Sequence, residues 1–138
     1  MALNTWTIFK FMKKNIYFGG VGPIDLLPNY LIAKPRSFII NLDESWKPGS
    51  HWVAIYFPQS GPAYYFDSFG RYPPARIINF IERNSKHGWL YNKRKLQGDL
   101  SVLCGYYCIV FLRFAPNYQD FFNEFKYCDN EKVLWKYF

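Results

Sequence analysis

Apolar positions along this chain separate into short runs and spaced stripes. Residues 37–42, 51–57 and 63–66 are short runs rich in Ile, Val, Tyr and Phe, bounded by Pro, Gly, Asp and Ser. Runs of that length and composition read as strands, and the turn residues at 43–50 and 58–62 predict an antiparallel meander. Residues 4–14 read as a helix. Asn4 or Thr5 can cap it, Trp6, Ile8, Phe9 and Met12 fall largely on one side, and Lys10, Lys13 and Lys14 lie elsewhere. A second helix covers residues 74–84, with Pro74 suited to its first turn and an apolar side of Ile77, Ile78, Phe80 and Ile81.

A third helix runs from about Cys104 to Phe114 and stops before Pro116. It is apolar nearly all round, so it belongs at the centre of the core. Residues 117–138 predict two short amphipathic helices, one around Phe121, Phe122 and Phe125 and one around Val133, Leu134 and Trp135. Residues 17–23 read as a loop by their glycines and proline, and residues 89–95 fit a strand or a loop equally. The Gly19-Gly20-Val21-Gly22 run lacks the Gly-Lys-Ser/Thr of a phosphate cradle, leaving a floor for an extended peptide or a plain turn.

Composition narrows the class. The 138 residues make one domain, residues 1–138, and with half of them apolar and 22% aromatic the chain is not disordered. No apolar run approaches the roughly 20 residues that span a bilayer, and no secretory signal is expected at the start, so no membrane partner is expected. Three cysteines, an odd number, fit a reducing compartment better than a disulfide framework, and no C-x-x-C pair gives a zinc signature, so no metal is expected. Cys108 and Cys128 read as small apolar fillers and His87 as a solvent-facing loop residue. The formal charge of +7 gathers at Lys10, Lys13 and Lys14 and at Lys93, Arg94 and Lys95. It fits contact with a polyanion such as DNA and, equally, the solubility of an aromatic-rich surface.

The chemistry centres on Cys104, placed at the start of the apolar helix. Unpaired N–H groups and the positive end of the helix dipole favour a thiolate there. His51 opens one strand and Asp67 closes its neighbour; in an antiparallel pair these two ends lie side by side. If the helix starts at the same sheet edge, the three form a Cys-His-Asp set. Cys104 attacks a carbonyl, His51 moves the proton and Asp67 orients the ring. Gln97 offers its amide N–H, with the backbone N–H of Cys104, to an oxyanion. Taken singly, each has a plainer reading: a core cysteine, a surface histidine, a turn-forming aspartate, a loop glutamine.

The residues Gly49-Ser50-His51-Trp52-Val53-Ala54-Ile55-Tyr56, Tyr64-Tyr65-Phe66-Asp67-Ser68-Phe69-Gly70, Leu96-Gln97-Gly98 and Cys104-Gly105-Tyr106-Tyr107-Cys108 resemble the adenovirus-type maturation proteases, the adenain-like cysteine endopeptidases. The resemblance implies an α+β, papain-like fold of the adenain/SUMO-protease type, with an antiparallel sheet packed on a central helix that carries the nucleophile. It implies catalytic roles for His51, Asp67, Gln97 and Cys104 and a groove at Trp52 and Gly105. Implied substrates are viral precursor polypeptides, cleaved during particle maturation in the virion and the host nucleus or cytoplasm. No cofactor is implied, while a short activating peptide and double-stranded DNA, the latter at Lys93, Arg94 and Lys95, are implied partners. The related SUMO and ubiquitin-like-protein proteases share the pattern but usually carry Asp before the cysteine, where this chain has Leu103. Two rival readings are such an isopeptidase and a basic DNA-binding protein with a decayed site.

Overall fold

The computed structural model describes residues 3–138 except Ile32, Pro48 and Cys128, so the expected filler role of Cys128 lies outside the described residues. One five-stranded sheet, in the order β1-β2-β3-β4-β5, carries helices on both faces. The strands are β1 (Phe18–Pro23), β2 (Arg36–Asn41), β3 (Trp52–Phe57), β4 (Ala63–Phe66) and β5 (Trp89–Tyr91). The helices are α1 (Thr5–Met12), α2 (Ala75–Asn84), α3 (Cys104–Phe114), α4 (Tyr118–Glu124) and α5 (Glu131–Leu134).

The central strand explains why the run at 51–57 is apolar without alternation. Trp52, Ala54 and Tyr56 of β3 enter one core, with α1, α3, α4 and α5. Val53, Ile55 and Phe57 enter a second core, with α2. Side chains of a strand alternate between faces, and a strand covered on both sides is apolar throughout. The helix α3 buries Cys104, Gly105 and residues 107–112 against the first core. At its middle, Phe111 stacks on Phe66 with ring centroids 4.4 Å apart and on Tyr118 at 5.5 Å.

The structure corrects the expected sheet in two places. The sheet is mixed: β2-β3 and β3-β4 are antiparallel as expected, but β1-β2 and β4-β5 are parallel. The crossover through α2 returns the chain in its original direction beside β4, which a hairpin cannot do. Residues 17–23, expected as a loop, contain the edge strand β1, and the ambiguous 89–95 contains β5. Glycine is tolerated in β1 because tertiary pairing overrides propensity at an edge. At Gly19 it is required, since a Cβ there would lie 2.7 Å from the Phe38 ring.

The expected apolar side of α1 is also narrower than its sequence pattern. Asn4 caps the helix by accepting from the Thr7 amide at 2.9 Å, and Ile8 and Met12 are buried. Trp6 and Phe9 stay exposed and lie against each other with centroids 6.3 Å apart.

Two side chains tie the tail to the chain leading into the site. Arg94 donates to the carbonyls of Phe122, Phe125 and Lys126 at the end of α4. Asn130, buried just before α5, donates to the Leu96 carbonyl at 3.0 Å. The α3 packing carries a stability expectation. Truncating the fully buried Phe111 to alanine should cost about 3–5 kcal/mol, read as a lower denaturation midpoint with an unchanged slope.

Candidate active site

His51 immediately precedes β3 and Asp67 immediately follows β4. Extending the Ala54↔Phe66 register sets His51 opposite Phe69, so Asp67 is its diagonal neighbour on the same face. The imidazole Nε2 lies 2.7 Å from an Asp67 oxygen, and the ring rests on Phe69 with centroids 5.2 Å apart. The Leu42 amide donates to the His51 carbonyl at 2.9 Å, so the ladder with β2 fixes the backbone at the histidine.

Asp67 is held as firmly. The carboxylate oxygen that meets His51 also accepts from the Phe69 amide at 2.8 Å. Asn92, buried just past β5, accepts from the Asp67 amide at 3.0 Å and donates to its carbonyl at 2.6 Å. Sequence reasoning missed Asn92, whose only signal was an isolated polar residue after an apolar stretch. Gly70 closes the turn at φ +71°, where a Cβ would lie 2.7 Å from the Lys93 carbonyl oxygen.

Cys104 is the first residue of α3, so its amide has no partner four residues back within the helix. Its sulfur accepts from the Trp52 backbone N–H at 3.4 Å. His51 and Cys104 line the same cleft, and Cys104 lies near enough to His51 to bear on its titration. Because Nε2 is engaged by Asp67, Nδ1 is the ring atom left for the thiol. The strand that starts at Trp52 and the helix that starts at Cys104 thus meet at one rim, where His51 and Cys104 line one cleft and the imidazole is bonded to Asp67.

Burial alone would depress the His51 pKa. The hydrogen bond to Asp67 and the nearness of Asp67 and Cys104 outweigh it and raise the value from 6.5 to about 9. Cys108, one turn further along α3, is wholly buried; desolvation and the nearby Cys104 and Asp67 charges push its thiol well up and keep it protonated.

Gln97 is fully buried. Its carbonyl oxygen accepts from the Ser68 hydroxyl, and Nε2 donates to the Ser101 carbonyl at 2.9 Å. Ser68 in turn accepts from the Leu96 and Gln97 amides through its own carbonyl, at 2.8 and 3.1 Å. These contacts fix which way the amide faces and leave its second N–H free of both partners. Ser68 and Ser101 were not singled out from the sequence, because a hydroxyl beside a turn carries no distinguishing signal.

A cleft of about 680 Å³ opens at this rim, lined by His51, Trp52, Phe69, Ser101, Val102 and Cys104 and by residues 3–5. Trp52 lies at the expected groove and donates its indole N–H to the Leu3 carbonyl at 3.0 Å. Gly105 does not line the cleft, contrary to expectation. A Cβ on it would come within 3.2 Å of Leu3 and 3.3 Å of the Trp52 ring, so its smallness serves packing. The basic triplet is largely engaged within the chain, with Arg94 on the carbonyls after α4 and Lys95 paired with Asp99. His87 is exposed, as expected.

Known proteins match this chain in part. No family model matches it. Over 84 residues it is 39% identical to R355 of Acanthamoeba polyphaga mimivirus, which bears a thiol-protease name; the match covers 54% of this chain and 28% of that protein. Over 48 residues it is 42% identical to the cysteine protease S273R of an African swine fever virus isolate, covering 33% of this chain and 18% of the viral protein. The counterpart from another isolate is named SUMO-1 cysteine protease and is 40% identical over 48 residues. The chain therefore spans less than a third of the length of these curated relatives. The crystal structure of the African swine fever virus pS273R protease superposes with a TM-score of 0.69, covering 99% of this chain and 65% of that one at 18% identity. The fold is thus the α+β fold of a viral cysteine protease.

The His51 environment sets a pH expectation. A raised folded-state value means that the stabilisation is complete below about pH 6.5 and is lost as pH rises through about 9. Asp67→Asn leaves burial dominant, so the His51 ring resonances should titrate well below the wild-type value by NMR. The stability gap between wild type and variant should be widest at acidic pH and close above about 9.

Proposed function

We propose that this chain is a cysteine endopeptidase acting through Cys104, His51, Asp67 and Gln97. The observation that carries the reading is a buried imidazole bonded to a carboxylate in the cleft that also holds the sulfur of Cys104 at a helix start. The similarity to proteins named as thiol and cysteine proteases supports it.

In this mechanism the Cys104 sulfur attacks the scissile carbonyl carbon with His51 as imidazolium. The C–N bond then breaks, the leaving amine takes the His51 proton, and a thioester to Cys104 remains. Water attacks the thioester, giving one proton to His51 and releasing the acid; the sulfur leaves as thiolate beside the imidazolium. Asp67 keeps Nε2 engaged, so Nδ1 stays toward the sulfur through both steps. The second Gln97 N–H and the amides at the start of α3 are the donors for the oxyanion.

The substrates in this reading are viral structural precursors, and the adenain-like kinship inferred from the four motifs is part of the same proposal. A second reading keeps the chemistry and changes the substrate to a ubiquitin-like conjugate. The SUMO-1 protease name of one relative favours it. Capsid-type peptides assayed against ubiquitin-like conjugates separate the two.

Cys104→Ala should abolish turnover of either substrate while leaving the thermal unfolding midpoint close to wild type; residual cleavage at the wild-type rate overturns the mechanism. Gln97→Ala should lower kcat about a hundredfold with KM little changed. A rise in KM alone removes the oxyanion role.

A further inference from the structure

We infer that the cavity beside His51 and Asp67 binds a carboxylate, presented by an acidic side chain of the substrate polypeptide close to the scissile bond. This rests on the protease reading. The cavity, about 620 Å³, is lined by Arg71, Arg76, Phe69 and Tyr72 as well as by His51 and Asp67. It adjoins the cleft that holds Cys104, because Ser50, His51 and Phe69 line both. A polypeptide that crosses the sulfur and passes the imidazole enters it.

The charge inside this cavity is one-sided. Two carboxylates reach its lining, and both are committed: Glu44 is paired with Lys47 at 2.9 Å and Asp67 with His51 at 2.7 Å. Among the described residues no carboxylate lies within ion-pair distance of Arg71 or Arg76. Asp25, close enough to feel the Arg76 charge, is held instead by the Ser45 amide and hydroxyl, each at 2.7 Å. Arg94 and Arg113, by contrast, are spent on carbonyls of the chain itself.

The fold demands neither arginine. Arg76 is the second residue of α2, where the helix dipole disfavours a cation, and the first turn holds no acidic residue to offset it. Arg71 is exposed, and its guanidinium lies 4.8 Å from the centre of the Phe69 ring, the same ring that rests against His51. The Gly70 amide donates to the Asp67 carbonyl at 2.8 Å, so the turn that places the acid also places Arg71. Tyr72 completes the wall, edge-on to Trp89 and Tyr91 with centroids 5.7 and 5.4 Å away. A guanidinium already seated on a ring, with a second one lining the same cavity, offers forked donors to a carboxylate at little ordering cost.

The test uses fluorogenic peptides with glycine on both sides of the scissile bond and Glu, Gln or Lys at successive positions on each side. At one position Glu should give a KM about fivefold below that of Gln in low salt, with Lys above both. The advantage should shrink as salt is added, since the two arginines are exposed. With Arg71→Gln and Arg76→Gln combined, the Glu and Gln values should converge; Arg71→Glu with Arg76→Glu should favour Lys. Fluorescence anisotropy of the labelled peptides on the Cys104→Ala protein, with and without Arg76→Glu, reads binding without turnover and should rank them in the same order. Equal KM for Glu, Gln and Lys at every position, or a Glu preference that survives loss of both guanidinium groups, overturns the carboxylate site and leaves the protease reading intact. Glu-selective binding lost in Arg76→Glu, in a protein that cleaves none of the peptides, supports the site and removes the protease reading. Duplex DNA displacing the peptides with no preference for Glu over Gln assigns the two arginines to a phosphate backbone and overturns the proposal.

Discussion

The rest of the structure depends on the seating of the central helix over the start of the central strand, which the Trp52 N–H donated to the Cys104 sulfur marks without carrying. For the Trp52 N–H to reach Cys104, α3 must lie directly over β3 with its first turn at the strand's start. That requires a helix apolar on nearly every side and a strand that tolerates burial on both faces, and the chain supplies both. The aromatic content serves this packing. Phe66, Phe111, Tyr118 and Phe121 interlock between sheet and helix by stacking and edge contacts. Each ring buries a large area in a defined orientation, so the helix is held in register as well as held down.

Burying ionisable groups at that rim is costly unless each polar atom has a partner. Asp67 accepts from the imidazole and from an amide, and Asn92 satisfies its backbone in both directions. Gln97 is paired at both ends of its amide group. The outcome is an electrostatic site with little freedom to reorganise, the condition under which fixed dipoles and charges act most strongly on a reacting carbonyl.

The parts of the fold legible in the sequence are those whose pattern and packing agree. Strands β2, β3 and β4 and helices α2 and α3 stand close to where periodicity put them, because their burial is regular along the chain. The outer strands were not legible. Phe18–Pro23 has three glycines and a proline, so no local preference marks it, and only pairing with β2 makes it a strand. Parallel pairing at the edges is a property of the crossovers, which composition does not encode. At the site, the ends of two antiparallel strands were enough to predict that His51 and Asp67 meet, since register follows from chain order. The supports from Asn92 and Ser68 were invisible because each meets a residue far away in sequence, and Ser101 because it acts through its backbone carbonyl, which no side chain announces. Gly105 was misread for the same reason: its neighbour is Leu3, about a hundred residues distant along the chain.

The tether at Asn130 gives the tail a bearing on chemistry it never touches. Its amide holds the Leu96 carbonyl one residue before Gln97, while Arg94 grips the turn that leads out of α4. The C-terminal helices act as a splint for the loop that presents the glutamine. A partner that grips the tail would therefore act on the loop that carries Gln97, the residue proposed to face the oxyanion.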